Sequence, residues 1–219
     1  RLAGRPIDSL MLADLFAPGD AALTRDPRVR SLAGDLMDSL PTLFAQRWDA
    51  VFHLASAVSA ECEADFDLGL RANLDTTRAL LDACRRQTAD GHAPVLFFFS
   101  SSVAVYGSDP ALPLPAVVGD DTLPTPQSSY GIHKFVCEQL VADYTRKGHI
   151  DGRAARLMTV SVRPGRPNGA ASGFLSGMLR EPLAGLPSNC PVPLDTPVAL
   201  SSPATTVAGI LAVAEATAG

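Results

Sequence analysis

The sequence is short of the features that mark small stapled, metal-bound, nucleic-acid-bound or membrane-embedded proteins. Its four cysteines, Cys62, Cys84, Cys137 and Cys190, stand far apart in 219 residues, with no CxxC pair and no histidine at zinc-ligand spacing. Neither a disulfide framework nor a metal site is indicated, and reduced thiols in a cytoplasmic protein are the expectation. It lacks a basic surplus: 18 Lys and Arg against 23 Asp and Glu leave a net charge of −5, which argues against nucleic acid or an anionic membrane surface as partner. It also lacks a continuous apolar run of bilayer length. Two charge-free stretches, Gly91 to Ser108 and Thr196 to Ala214, are broken by Pro, Gly, Ser and Thr, and no apolar signal-peptide core stands near Arg1. What is present, 47% hydrophobic and 19% charged residues, suffices for one soluble globular core. The first residue is not Met, so a fragment of a longer protein is expected.

Strand-length apolar runs alternate with amphipathic helical segments, the pattern of a parallel sheet covered by helices. Leu10 to Asp14, Val29 to Leu32, Asp49 to Ala55, Pro94 to Phe99 and Leu157 to Val162 read as strands. Leu70, Leu74, Leu81 and Cys84 give a helical stripe over about 65–87. Ser128 or Ser129 can cap a helix running to about Lys147, and Ser202 followed by Pro203 marks the start of a last one. Pro110 to Pro126 is a Pro-rich loop. No internal repeat or long linker is visible.

The sharpest chemical signal is Tyr130-Gly-Ile-His-Lys134. With three tyrosines and two lysines in the chain, a chance Tyr-x-x-x-Lys is expected about 0.03 times. The spacing puts both side chains on one helical face, one turn apart. A phenol ionises near pH ~10 and is a poor base at neutrality unless a fixed cation favours the phenolate. With such a cation it becomes a general acid/base for an alcohol–ketone pair. A packed tyrosine and a surface lysine would have the same spacing. Ser100-Ser101-Ser102 follow the most apolar strand at the end where parallel sheets place ligands; a turn or a helix cap is the other use of such a cluster.

Ser100-Ser-Ser-Val-Ala-Val-Tyr-Gly107 and Pro126-Gln-Ser-Ser-Tyr-Gly-Ile-His-Lys134 together resemble the paired motifs of the extended short-chain dehydrogenase/reductase family, also called the NAD-dependent epimerase/dehydratase family. His53-Leu-Ala-Ser56, Asn73-Leu-Asp-Thr-Thr77 and Arg163-Pro-Gly165 resemble its other landmarks, in order. The resemblance implies a doubly wound α/β Rossmann fold and NAD as cofactor. Arg163-Pro-Gly-Arg-Pro-Asn168, Ala170 to Phe174 and Arg180 to Gly185 are similar to the branch that oxidises small 2-hydroxy sugar acids such as D-erythronate.

Carried over by residue, the resemblance makes Tyr130 the acid/base, Lys134 the cation that lowers its pKa and holds the nicotinamide ribose, and Ser102 the residue that positions the substrate alcohol. Leu54, Ala55 and Ser56 would line the cofactor, Asn73 support it from the neighbouring helix, Pro164 approach the nicotinamide, and Asp35 and Leu36 flank the adenine. Asp35 could instead be a turn or cap acid, and Asn73 a polar residue on an exposed helix face. Asp14, an acid at a strand end with no adjacent Arg, would accept hydrogen bonds from the ribose 2′-hydroxyl and repel a 2′-phosphate, favouring NAD over NADP; an ordinary loop aspartate is the alternative. For the carboxylate of a sugar acid, Arg163, Arg166 and Arg180 are available, with Asn168 as a neutral donor; Arg180 is preferred, although a solvated surface arginine looks the same in sequence.

One departure from the family stands out. A Gly-rich phosphate loop should precede the strand-end acid by about 20 residues, and no GxGxxG or GxxGxxG run exists. The first strand and its turn are therefore expected to be missing, leaving an apolar gap in the sheet. The expected organisation is a truncated NAD-binding domain over 1–162 and the beginning of a smaller substrate region over 163–219. The expected activity is NAD-dependent oxidation of a sugar acid, with a small molecule as partner and a homodimer admitted. The alternatives are a nucleotide-sugar epimerase using the same side chains, or an inert fragment of either enzyme.

Overall fold

The computed structural model describes residues 1–163 and 170–217. Its strands form three parallel sheets. β1 (Leu10–Asp14) pairs with β2 (Val29–Ala33), the short helix α1 (Ala21–Arg25) lying between them in the chain. β3 (Ala50–His53), β4 (Val95–Ser102) and β5 (Ile150–Leu157) make the second sheet in that order. β6 (Thr159–Val160) and β7 (Leu200–Ser201) make the third. The helices are α2 (Leu36–Leu43), α3 (Ser59–Ala64), α4 (Phe66–Gly69), α5 (Thr76–Ala89), α6 (Ser129–Arg146), α7 (Gly173–Leu183) and α8 (Pro203–Glu215). Parallel strands alternating with helices are the expected Rossmann-like arrangement.

β4 holds the core together. Val95, Phe97, Phe98 and Phe99 are fully buried, because helices cover this parallel sheet and each strand must be apolar on both faces. Leu80, Leu81 and Cys84 of α5, Cys137 and Val141 of α6, and Ile150 of β5 pack around Phe97 and Phe99. Each buried phenylalanine contributes about 1.5–3 kcal/mol. The four cysteines are unpaired, and Cys84 and Cys137 serve as small apolar core residues.

Three elements differ from the sequence expectation. β4 does not end at Phe99 but continues through Ser102, its serines in register with Ala155, Arg156 and Leu157 of β5. The strand expected at Leu157 to Val162 instead lies at Ile150–Leu157, and Thr159–Val160 crosses to another sheet. Asp151, Arg153 and Arg156 hide β5 in sequence. Arg153 pairs with Asp151 and donates to Ala216 O at 2.9 Å, while Arg156 pairs with Glu138. The helix expected over about 65–87 runs as α4, a π-helical segment (Leu70–Asp75) and α5, started by Asp65 accepting from Leu68 N at 2.9 Å.

The edges of β1 and β3 border one mainly apolar cleft of about 540 Å³, lined also by Leu36, Leu43, Phe44 and Leu80. An apolar gap in the sheet was the expectation. In the region expected to belong to the substrate part, α8 packs against β4 and β5. No helix among the described residues is long and apolar enough to cross a membrane.

Candidate active site

The carboxyl ends of parallel strands form the rim where such sheets place ligands: Asp14, Leu54 and Ala55 line one cleft there, and Ser100 to Ser102 end β4. α6 delivers Tyr130 and Lys134 to the same rim. Its start is fixed by Ser128, whose Oγ accepts from Gly131 N at 3.1 Å. It is also fixed by the lack of a side chain at Gly131, where a Cβ would stand 2.2 Å from Ala104 O and 3.1 Å from Pro126 Cβ. Ser102 Oγ accepts from Ala104 N at 3.1 Å and so caps the 3₁₀ turn over Val103–Val105. Of the two uses of the serine cluster read from sequence, this is the cap.

Lys134 is 2% exposed. Its Nζ donates to Ser100 O at 2.8 Å and lies 4.9 Å from the Phe99 ring centre and 5.5 Å from that of Tyr130. Burial pulls its pKa down to about 8. Burial pushes the Tyr130 phenol up, while hydrogen bonding with Ser102 and Ser56 favours its ionised form. The hydroxyls that act on the phenol are therefore those of two serines, one from the end of β4 and one from the loop after β3, and the lysine charge stands across the ring.

That loop is held by Asn73. Ala57 N donates to Asn73 Oδ1 at 2.8 Å and Asn73 Nδ2 donates to Ala57 O at 3.3 Å, with Cys62 Sγ a further acceptor at 3.3 Å. Asn73 is 3% exposed, so the reading of it as an exposed polar residue is overturned. It sits in the π-helical segment, an insertion that commonly marks functional sites, and its amide is occupied by the loop it positions. His133 is buried beside it, 3.5 Å from Asn73 Nδ2. Burial lowers the His133 pKa, and burial together with the Lys134 charge takes His53 down to about 3, so both rings are neutral near pH 7. His53 Nε2 shares a hydrogen bond of 2.9 Å with Thr77 Oγ1.

Asp14 ends β1 beside the cleft, its Oδ1 accepting from Phe16 N at 3.3 Å. Leu36, Leu54 and Ala55 line the same cleft, and Leu54 is exposed. Asp35 caps α2 by accepting from Met37 N at 2.8 Å, which is the cap role read for it in sequence. Arg180 is engaged within the chain: it donates to Arg163 O at 2.9 Å and pairs with Glu181. Arg163 N donates to Ser176 Oγ at 3.0 Å. Pro164, Arg166 and Asn168 lie outside the described residues. No cluster of three or more His, Cys, Asp or Glu side chains able to hold a metal occurs among the described residues.

Sequence reasoning did not single out Glu138, Arg156 or Tyr106, which form a partly buried network next to Ser101. Glu138 stands four residues after Lys134, and that spacing was the available signal.

The family model described as "NAD dependent epimerase/dehydratase family" matches residues 6–195. A D-erythronate dehydrogenase of Cupriavidus necator is 51% identical over 216 residues, covering 96% of this chain and 63% of the relative. A D-erythronate dehydrogenase of Haemophilus influenzae is 44% identical over 207 residues, covering 94% and 62%. The chain thus spans somewhat less than two thirds of each of these curated relatives. Among solved structures, a nucleoside-diphosphate-sugar epimerase from Agrobacterium tumefaciens superposes with a TM-score of 0.86 at 41% identity, covering 97% of this chain and 61% of that one.

Proposed function

Because the chain belongs to the NAD dependent epimerase/dehydratase family, we propose that the complete gene product is an NAD-dependent dehydrogenase that oxidises a small 2-hydroxy sugar acid, D-erythronate, to the 2-oxo acid. The observation that carries this reading is the grouping of the Ser102, Ser56 and Tyr130 hydroxyls beside the buried Lys134. The two D-erythronate dehydrogenases similar to this chain supply the substrate class.

The residues present fit a dinucleotide in part. Lys134 Nζ carries three donors, of which one is directed at Ser100 O, leaving donors for ribose hydroxyls. Asp14 presents an exposed carboxylate at a strand end, suited to a ribose 2′-hydroxyl and repelling a 2′-phosphate. Asp35 and Leu36 flank the adenine, and Leu54 to Ser56 line the cofactor on the loop that Asn73 holds. With no GxGxxG or GxxGxxG run in the sequence, the pyrophosphate has no assigned partner among these residues.

When bound, NAD supplies the hydride acceptor. Tyr130, as phenolate, takes the proton of the substrate 2-hydroxyl; Ser102 hydrogen-bonds the same oxygen and fixes it in line; the Lys134 charge favours the phenolate. Arg180 is assigned to the substrate carboxylate, which would displace Glu181 from it.

The second reading, a nucleotide-sugar epimerase, is favoured by the likeness to the Agrobacterium tumefaciens structure and needs the same three side chains. Incubating the complete gene product with NAD and D-erythronate separates the two. Net NADH formation is expected; no NADH from D-erythronate, with a UDP-sugar epimerised instead, would overturn the dehydrogenase reading.

A further inference from the structure

Three consecutive serines at the end of β4 each meet one member of a stripe at steps of four along α6. Ser102 stands beside the Tyr130 hydroxyl, Ser100 O accepts from Lys134 Nζ, and Ser101 Oγ donates to Glu138. The first two contacts belong to the site described above. The third places a carboxylate only 9% exposed one turn beyond the lysine, where the reaction itself has no use for one.

Glu138 is held on its other side by Arg156 of β5 in a two-pronged pair, Nε donating to Oε1 at 3.0 Å and Nη2 to Oε2 at 2.8 Å. The remaining Arg156 nitrogen, Nη1, donates to the Tyr106 hydroxyl, and the guanidinium stands 5.0 Å from the centre of that ring. Tyr106 in turn donates to Gly119 O at 3.0 Å. Gly119 N donates to Thr122 Oγ1 at 2.9 Å, and Thr125 Oγ1 donates to Gly107 O at 2.8 Å. These bonds stitch together the loop that runs into Pro126, Ser128 and the start of α6. One ion pair is therefore joined to both arms of the site: the serine arm through Ser101, and the tyrosine arm through Tyr106 and the loop.

We propose that Glu138 and Arg156 are positioning residues, a clamp that sets the spacing between the Ser102 and Tyr130 hydroxyls by holding the end of β4 and the 107–127 loop to α6. A buried ion pair adds little net stability compared with apolar packing, but removal of one partner strands the other charge. What the pair gives is a fixed geometry, and the planar two-pronged fork of arginine gives it where a lysine ammonium cannot. A misplacement of about 1 Å in a reacting group lowers turnover about 100-fold. The proposal rests on the Ser102–Tyr130 reading above.

The test uses Tyr106→Phe, Glu138→Gln, Arg156→Lys and the Tyr106→Phe/Arg156→Lys double variant in the complete gene product. Tyr106→Phe loses one hydroxyl and keeps the ring, so it guards against variants that fail to fold. Each single variant is expected to lower kcat about 10- to 100-fold with the KM for NAD unchanged, and the double variant to be no worse than the worse single. Faster amide exchange at Gly119 and Thr122 is expected in all of them. Unchanged kcat in the folded variants, or effects that multiply in the double variant, would overturn the clamp. If the unaltered protein shows no hydride transfer, the functional reading fails separately. Amide exchange then decides the clamp alone: faster at Gly119 and Thr122 in Glu138→Gln supports it, and unchanged rejects it.

Discussion

Burial sets the chemistry of Lys134 and Tyr130 in opposite directions. It brings the lysine from its ordinary 10.5 down to about 8 and pushes the phenol up. The lysine is therefore charged below about pH 8 and loses its proton above it, while the base form of Tyr130 becomes more populated as pH rises. Oxidation is expected to climb with pH and to level or fall once Lys134 titrates. In the proposed mechanism Lys134 is the cation that favours the phenolate; turnover of Lys134→Met at pH 7 should then drop about 100-fold or more, and the rising limb of the pH–rate profile should move to higher pH. A limb that stays in place would show that the lysine charge does not act on the tyrosine. That Tyr130 and Lys134 share one face of α6 was legible in sequence because local spacing alone fixes it. The pairing of Ser56 with Tyr130, and of Arg156 with Glu138 eighteen residues away, was not, because only the fold brings those side chains together. Asn73 shows the same limit: the family resemblance suggested a site, but its burial and its hold on Ala57 depend on a π-helical segment with no signature in the sequence.

Among the elements, β1 to β4, α6 and α8 followed from apolar runs and capping residues, Ser128 and Ser202 both serving as the expected caps. β5 escaped because its charged side chains find partners rather than solvent, which defeats any reading by hydrophobicity alone. Its Gly152 lets α6 approach closely: a Cβ there would stand 2.3 Å from Thr145 Oγ1 and 2.8 Å from Val141 Cγ1. Gly131 does the same at the start of α6, where the obstacle is backbone and cannot rotate away. Gly131→Ala is expected to cost about 1–3 kcal/mol, read as a lowered denaturation midpoint, and to impair turnover by shifting Tyr130. A variant as stable and active as the parent would show that the helix start can move freely.

In the whole molecule, the parallel sheets deliver Asp14, the Leu54–Ser56 loop and the three serines to one rim, and α6 crosses it with the tyrosine and lysine. The strand order leaves an apolar cleft between β1 and β3, bordered by the residues assigned to the adenosine end of NAD. Membership of the family fixes this architecture, and the proposed proton transfer at an alcohol rests on the hydroxyl cluster at the rim. The role of Tyr130 in that transfer is tested most directly by comparing Tyr130→Phe with the unaltered complete gene product for NADH formation from D-erythronate and for NAD affinity. Loss of at least about 100-fold in turnover with NAD affinity unchanged is the expected result; turnover equal to that of the unaltered protein would contradict it.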